Sequence, residues 1–113
     1  MNVIWIVISV FIFLMFFPII FVRGDSMYPA IQHGDILFSA RVFSFAKCKP
    51  GRIFVYRVPE KKFVIKRLIG IADGEYYFDF DNKDDSPDNH DYDIVDPKNV
   101  KAEIIGVLYR IES

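Results

Sequence analysis

At 113 residues, 52% apolar and 17% aromatic, the chain has room for one small domain and little else. Its formal net charge of −1 leaves no electrostatic footprint for nucleic acid, and with Cys48 as the lone cysteine no internal disulfide can form. Charge is unevenly spread: over 41–67 it is almost all basic, with Glu60 the single acid, and over 73–96 almost all acidic, with Lys83 the one base, a pattern read as two segments that pair within one fold.

The first element in the chain is an apolar run over 3–22, VIWIVISVFIFLMFFPIIFV. As a helix it would be about 30 Å long, the depth of the hydrocarbon core of a bilayer. The residues before it carry no Lys or Arg, the run is too long for a leader and no A-x-A site follows, so the expectation is a transmembrane anchor over 1–22 rather than a cleaved leader, with a kink at Pro18. Arg23, taken alone, would put the rest of the chain on the cytoplasmic side. From 23 to 113 the pattern changes to short β-prone runs between turns. Strands are predicted over 35–43 (DILFSARVF), 52–58 (RIFVYRV), 63–71 (FVIKRLIGI), 76–80 and 101–111 (KAEIIGVLYRI). Lys49-Pro50-Gly51, residues 59–62 and Ala72-Asp73-Gly74-Glu75 read as turns, and the Asp-rich stretch over 82–97 reads as a loop. The fold class is therefore mainly β: one N-terminal transmembrane helix, then a small all-β domain over 23–113.

Two residues stand out chemically. Ser26 follows the apolar run closely, in GDSMYP, bracketed by Gly24 and Pro29. A fixed turn can aim a hydroxyl and a neighbouring N–H at one point, as oxyanion stabilisation requires, although an ordinary turn serine would look the same. Serine is a weak nucleophile without a base. Lys66 lies inside the run FVIKRLIGI, and strand alternation puts it on the face of Val64 and Leu68, with Arg67 on the other face beside Ile65 and Ile69. A lysine in that setting either snorkels out or does chemistry. Burial disfavours its charged form, and a neutral lysine can take the proton of a serine.

Taken together, these segments resemble type I signal peptidases. GDSMYP is similar to the nucleophile box of that family, FVIKRLIGIADGE to its lysine box, and FDNKDDSPDNHDYDIVDPKNV to its third, Asp-Asn-containing box, in the same order and behind an apolar segment. The resemblance implies a signal-peptidase-like catalytic β domain in which Ser26 is the nucleophile and Lys66 the general base of a Ser/Lys dyad. It implies that the Ser26 backbone N–H serves the oxyanion hole, where Gly24 offers no hydroxyl. Ser86 would orient the lysine amine, while Asp81 and Asp88, with Arg67 as the available cation, would tie the site together. Met27 and Pro29 would lie near the substrate and the lipid. No metal or cofactor is implied. The implied partners are signal-peptide-bearing precursors and the bilayer, with the catalytic domain on the outer face of the cell membrane, against the weak charge signal of Arg23.

The chain departs from the family pattern at Phe80, where the family has Gly, and at Asn89-His90, where it has Ser-Arg. The short spacing from Lys66 to Asp81 makes this a minimal form, so a dedicated maturation protease of the conjugation-pilus or metalloenzyme type, or an impaired relative, is the alternative. Soluble self-cleaving repressors share the dyad chemistry but would begin with a DNA-binding helix pair. A Ser-His-Asp scheme would need His33 or His90 as base. A calcium module would use the acidic run over 79–96, which lacks the Gly and the terminal Glu of an EF-hand loop.

Overall fold

The fold is that of a computed structural model, which describes residues 2–24, 26–43, 48–59, 62–81 and 93–110. Helix α1 spans Val3–Phe16, capped by the Asn2 side chain, which accepts from the Ile4 N–H at 3.2 Å. The helix stops before Pro18. The residue preceding a proline is pushed out of the α region, and Phe17 sits at φ −129°, ψ 74°. Beyond it Ile19–Phe21 is extended as strand β1. This corrects the expected single helix over 3–22. The helix has 14 residues, about 21 Å at 1.5 Å per residue, and among the described residues no helix is long and apolar enough to cross a membrane. Pro18 instead turns the chain into the sheet, its carbonyl accepting from both the N–H and the hydroxyl of Ser39, at 3.2 and 2.7 Å.

The remaining strands are β2 Ile36–Arg41, β3 Ile53–Arg57, β4 Phe63–Ala72, β5 Glu75–Asp79, β6 Asp93–Val95 and β7 Val100–Tyr109. With β1 they form one seven-stranded sheet in the order β1-β2-β7-β3-β4-β5-β6, every neighbour antiparallel. The mainly β class and five of the strands are as the sequence pattern predicts. Strands β1 and β6 are not: one lies inside the apolar run and the other inside the expected acidic loop. Between β4 and β5, Asp73 and Gly74 both take positive φ, 52° and 76°. Paired positive φ matches the twist of a tight hairpin, and Asp-Gly tolerates it best.

The sheet is curled. Its register shifts within β2, β3 and β4, including the step from Leu68 to Gly70, and each such irregularity bends a strand. The curl brings β4 over to β1, four places away in the strand order: Ile65 packs into the same apolar cluster as Val22, Met27, Ile31, Leu37 and Val55. A second cluster gathers Phe54, Tyr56, Leu68, Phe78, Val95 and Val100. The alternation along β4 divides its side chains accordingly, with Val64 and Leu68 in the second cluster and Ile65 in the first.

Candidate active site

Ser26 is half-buried in the loop between β1 and β2. The neck of this loop is closed by two backbone bonds, from the Val22 N–H to the Asp35 carbonyl and from the Gly34 N–H to the Val22 carbonyl, both 3.0 Å. Gly24 carries φ +88°, a left-handed backbone that side chains resist, and its N–H donates to His33 Nδ1 at 2.8 Å. On the far side of the serine, the Ile31 N–H donates to the Met27 carbonyl at 2.9 Å, making one helical turn whose Met27 and Ile31 side chains are almost fully buried. Pro29 stands exposed in that turn, joined to Tyr28 by a cis peptide.

A buried carboxylate braces the loop from beneath. Asp35 has no exposed surface, and its oxygens accept from Arg110 Nε and Nη2 at 3.0 and 2.9 Å and from the Gln32 N–H at 2.9 Å. The Arg110 guanidinium, which also donates to the Ala30 carbonyl, holds the Asp35 carboxyl below its usual range despite the opposite pull of burial. The turn that presents Ser26 is thus held by its own backbone at the neck and by a charge-assisted fork under its centre.

Ser26 lines a cleft of about 870 Å³ between the β1 segment and the start of β4, walled mainly by Ile20, Val22, Met27, Ile31, Val55 and Ile65. Phe21 and Phe63 add to these apolar walls and Arg23, Arg41 and Lys101 also line the cleft, which is mainly apolar and suits extended chain carrying apolar side chains.

Lys66 is largely buried, its side chain 18% exposed. Its ammonium donates to Asp93 Oδ2 at 2.8 Å and lies 5.6 Å from the centre of the Phe80 ring. The same Asp93 oxygen accepts from the hydroxyl of fully buried Tyr56. Burial, reinforced by the Asp93 charge, pushes the Tyr56 hydroxyl far above its usual range, so it stays a donor. Among the described residues the Lys66 amine bonds to Asp93 and not to Ser26. Phe80 connects the two halves of the site, because its ring lies by the Lys66 amine and packs in the cluster that contains Met27, the residue after the serine.

Arg67, on the opposite face of β4, forms a fork to Asp81, Nε to Oδ1 at 2.9 Å and Nη2 to Oδ2 at 2.7 Å, and donates to the Gly51 carbonyl at 2.6 Å. Among the described residues the Arg67 cation pairs with Asp81. Ser86, Asp88 and His90 lie outside the described residues, as does most of the acidic run. His33 Nδ1 accepts from the Gly24 amide, within the loop it would have served as a base. Neither Asp93 nor Tyr56 was found from sequence. An aspartate among many in a polar stretch carries no local signal, and nothing in RIFVYRV marks its tyrosine as a partner for a lysine on the next strand.

A family model described as Peptidase S24-like matches residues 17–109, which takes in the whole sheet, Ser26 and Lys66. No curated protein matches the chain.

Proposed function

The chain belongs to the Peptidase S24-like family, a family of serine peptidases, and on that premise we propose that it is a membrane-associated endopeptidase that removes signal peptides from exported precursors with a Ser26/Lys66 dyad. The observation that carries this reading is the position of Ser26, on a braced turn at the side of a mainly apolar cleft within the matched region. Precursor chain enters the cleft extended, with its apolar residues against Ile20, Met27 and Ile65. The Ser26 hydroxyl attacks the scissile carbonyl while neutral Lys66 takes its proton. The Ser26 backbone N–H stabilises the oxyanion. Lys66 then passes the proton to the leaving amine, and water, deprotonated by the same lysine, releases the acyl group from Ser26.

Membrane association is supported by α1. All of its residues are exposed, and Ser9 is its one polar side chain, the Ser9 hydroxyl donating back to the Trp5 carbonyl. Phe21, Phe43 and Phe63 are exposed as well, and Phe43 lies beside Phe16 of the helix. In this reading α1, apolar all round, buries itself in the bilayer, and the catalytic domain faces the outer side, where precursors emerge. Strands β4 and β5 are joined directly by the Asp73-Gly74 turn, and such a minimal frame also suits a protease dedicated to one exported substrate.

The test is cleavage of a membrane-bound precursor with an Ala-x-Ala site by wild type, Ser26→Ala and Lys66→Ala in detergent. Both variants are expected to lose activity by about 10³-fold or more. Cleavage by Lys66→Ala at the wild-type rate would sink the dyad. A panel of alternative precursors then separates general from dedicated processing.

A further inference from the structure

The polar cluster around Lys66 is built for something the reaction does not require. Its three members come from three strands, Tyr56 on β3, Lys66 on β4 and Asp93 on β6. The lysine reaches across β5 to make its bond, since β4 and β6 are not neighbours in the sheet. Asp93 is set opposite Phe78 in the ladder, and Phe78 stacks on Tyr56 with ring centres 4.6 Å apart. The tyrosine hydroxyl and the carboxylate are therefore positioned by the same aromatic ring. The buried Tyr56 hydroxyl has Asp93 as its hydrogen-bond acceptor among the described residues, so the two hold each other in place.

An ammonium has three donors and no lone pair. While Lys66 donates to Asp93 as an ammonium, it cannot accept the Ser26 proton. To become the base for Ser26 it must lose one proton and come away from Asp93, so the 2.8 Å ion pair has to break first. We infer that Asp93, held by Tyr56, is a positioning residue that keeps Lys66 in a resting pose and sets how readily it becomes the base for Ser26. The inference rests on the dyad reading. Asp93 touches neither the serine nor the cleft, and it acts only through the lysine. The groups placed at the amine are Asp93 from β6, which Tyr56 from β3 pins, and the Phe80 ring beyond β5.

The test uses Asp93→Asn, Asp93→Glu and Tyr56→Phe in the full chain, with two readouts. The first is the rate at which a small amine-reactive ester acylates Lys66 at neutral pH, followed by peptide mass spectrometry with Lys101 as internal reference. The second is kcat and KM on the Ala-x-Ala precursor. Asp93→Asn is expected to speed Lys66 acylation about tenfold and to raise kcat with KM unchanged. Asp93→Glu should return both toward wild type. Tyr56→Phe keeps the ring against Phe78 while freeing the carboxylate, so it should move both readouts the same way by less, and it serves if Asp93→Asn fails to fold. Unchanged acylation of Lys66 in Asp93→Asn and Tyr56→Phe overturns the inference. So does a fall of kcat in Asp93→Asn while Lys66→Ala is inactive, in which case the dyad stands and the resting pose alone is wrong. Full activity of Lys66→Ala removes the dyad, and the inference goes with it.

Discussion

Ser26 and Lys66 belong to the two differently built halves of one sheet. The serine sits over the cluster of Val22, Met27, Ile31, Leu37 and Val55, which is largely aliphatic and stands beside an open cleft. The lysine lies on the strand face shared with Phe54, Tyr56 and Phe78, where the rings stack or meet edge to face. The means of holding the functional group differ as well. The serine is positioned by backbone: a closed neck, a left-handed glycine and a carboxylate-guanidinium fork beneath the turn. Among the described residues the lysine amine is held by the Asp93 carboxylate, with the Phe80 ring beside it. A group fixed by backbone is hard to disturb except by unfolding the loop, whereas a group held by a single carboxylate is one substitution away from a different state. The nucleophile is thus the rigid half of the proposed dyad and the base the adjustable half.

The sharpest way to break this comparison is through the aromatic half. Phe78→Ala should destabilise the fold by about 3–5 kcal/mol, because the ring has no exposed surface and supports both Tyr56 and Phe54. Urea denaturation measures it, and a loss below about 2 kcal/mol would mean the aromatic cluster is not the tighter one. The matched change in the aliphatic half, Leu37→Ala, should cost less, about 2–3 kcal/mol, since the adjacent cleft lets neighbours relax into the space. Equal losses at the two sites would erase the distinction.

Asp35→Asn probes the brace under the serine. It leaves Arg110 facing a neutral amide and should cost about 2 kcal/mol, below the range for a fully buried pair because Arg110 is partly exposed. It also carries a pH signature. The folded Asp35 carboxyl lies below its unfolded value, held there first by the Arg110 hydrogen bonds. Its contribution is therefore whole above about pH 4 and is lost as pH falls through the folded value. Thermal melts from neutral pH down to about pH 2 should show wild type losing stability over that acid window more steeply than Asp35→Asn. Parallel curves would show that the brace is not electrostatic.

The smallest effect is expected where the molecule is least packed. Helix α1 meets the sheet through Phe13 on Phe38, Phe16 near Phe43 and the Arg41 side chain on the Met15 carbonyl. Removing residues 2–16 should cost the β domain only about 1 kcal/mol in a thermal melt, while binding to liposomes is abolished. Retained liposome binding would move the membrane contact from the helix to the sheet.

Much of this architecture is legible in the sequence. Strands β2, β3, β4, β5 and β7 follow from β-branched and aromatic runs between Gly, Pro and Asp turns. Period-2 alternation assigns Lys66 to the face of Val64 and Leu68, and GDSMYP marks the serine turn. The two edge strands are the ones that escape. Ile19–Phe21 is as apolar as the helix before it, and Asp93–Val95 is three residues at the end of an acidic stretch, so in both cases pairing is decided by the strand alongside rather than by local preference. The apolar run over 3–22 shows the limit of composition most clearly: hydropathy alone reads one span, and Pro18 together with a vacant edge of β2 makes it a helix and a strand.

By itself the sequence determined the β class and the strand content of the middle of the chain, because each of these is written in neighbours a few positions apart, and it singled out the two residues of the proposed dyad. Only the tertiary structure decided that β1 curls to face β4 around a cleft, that Arg110 supports the serine loop from 75 residues away, and that Asp93 takes the Lys66 amine from 27 residues away. Those are contacts between distant segments, and their partners are chosen by the curl and register of the whole sheet, which no local window contains.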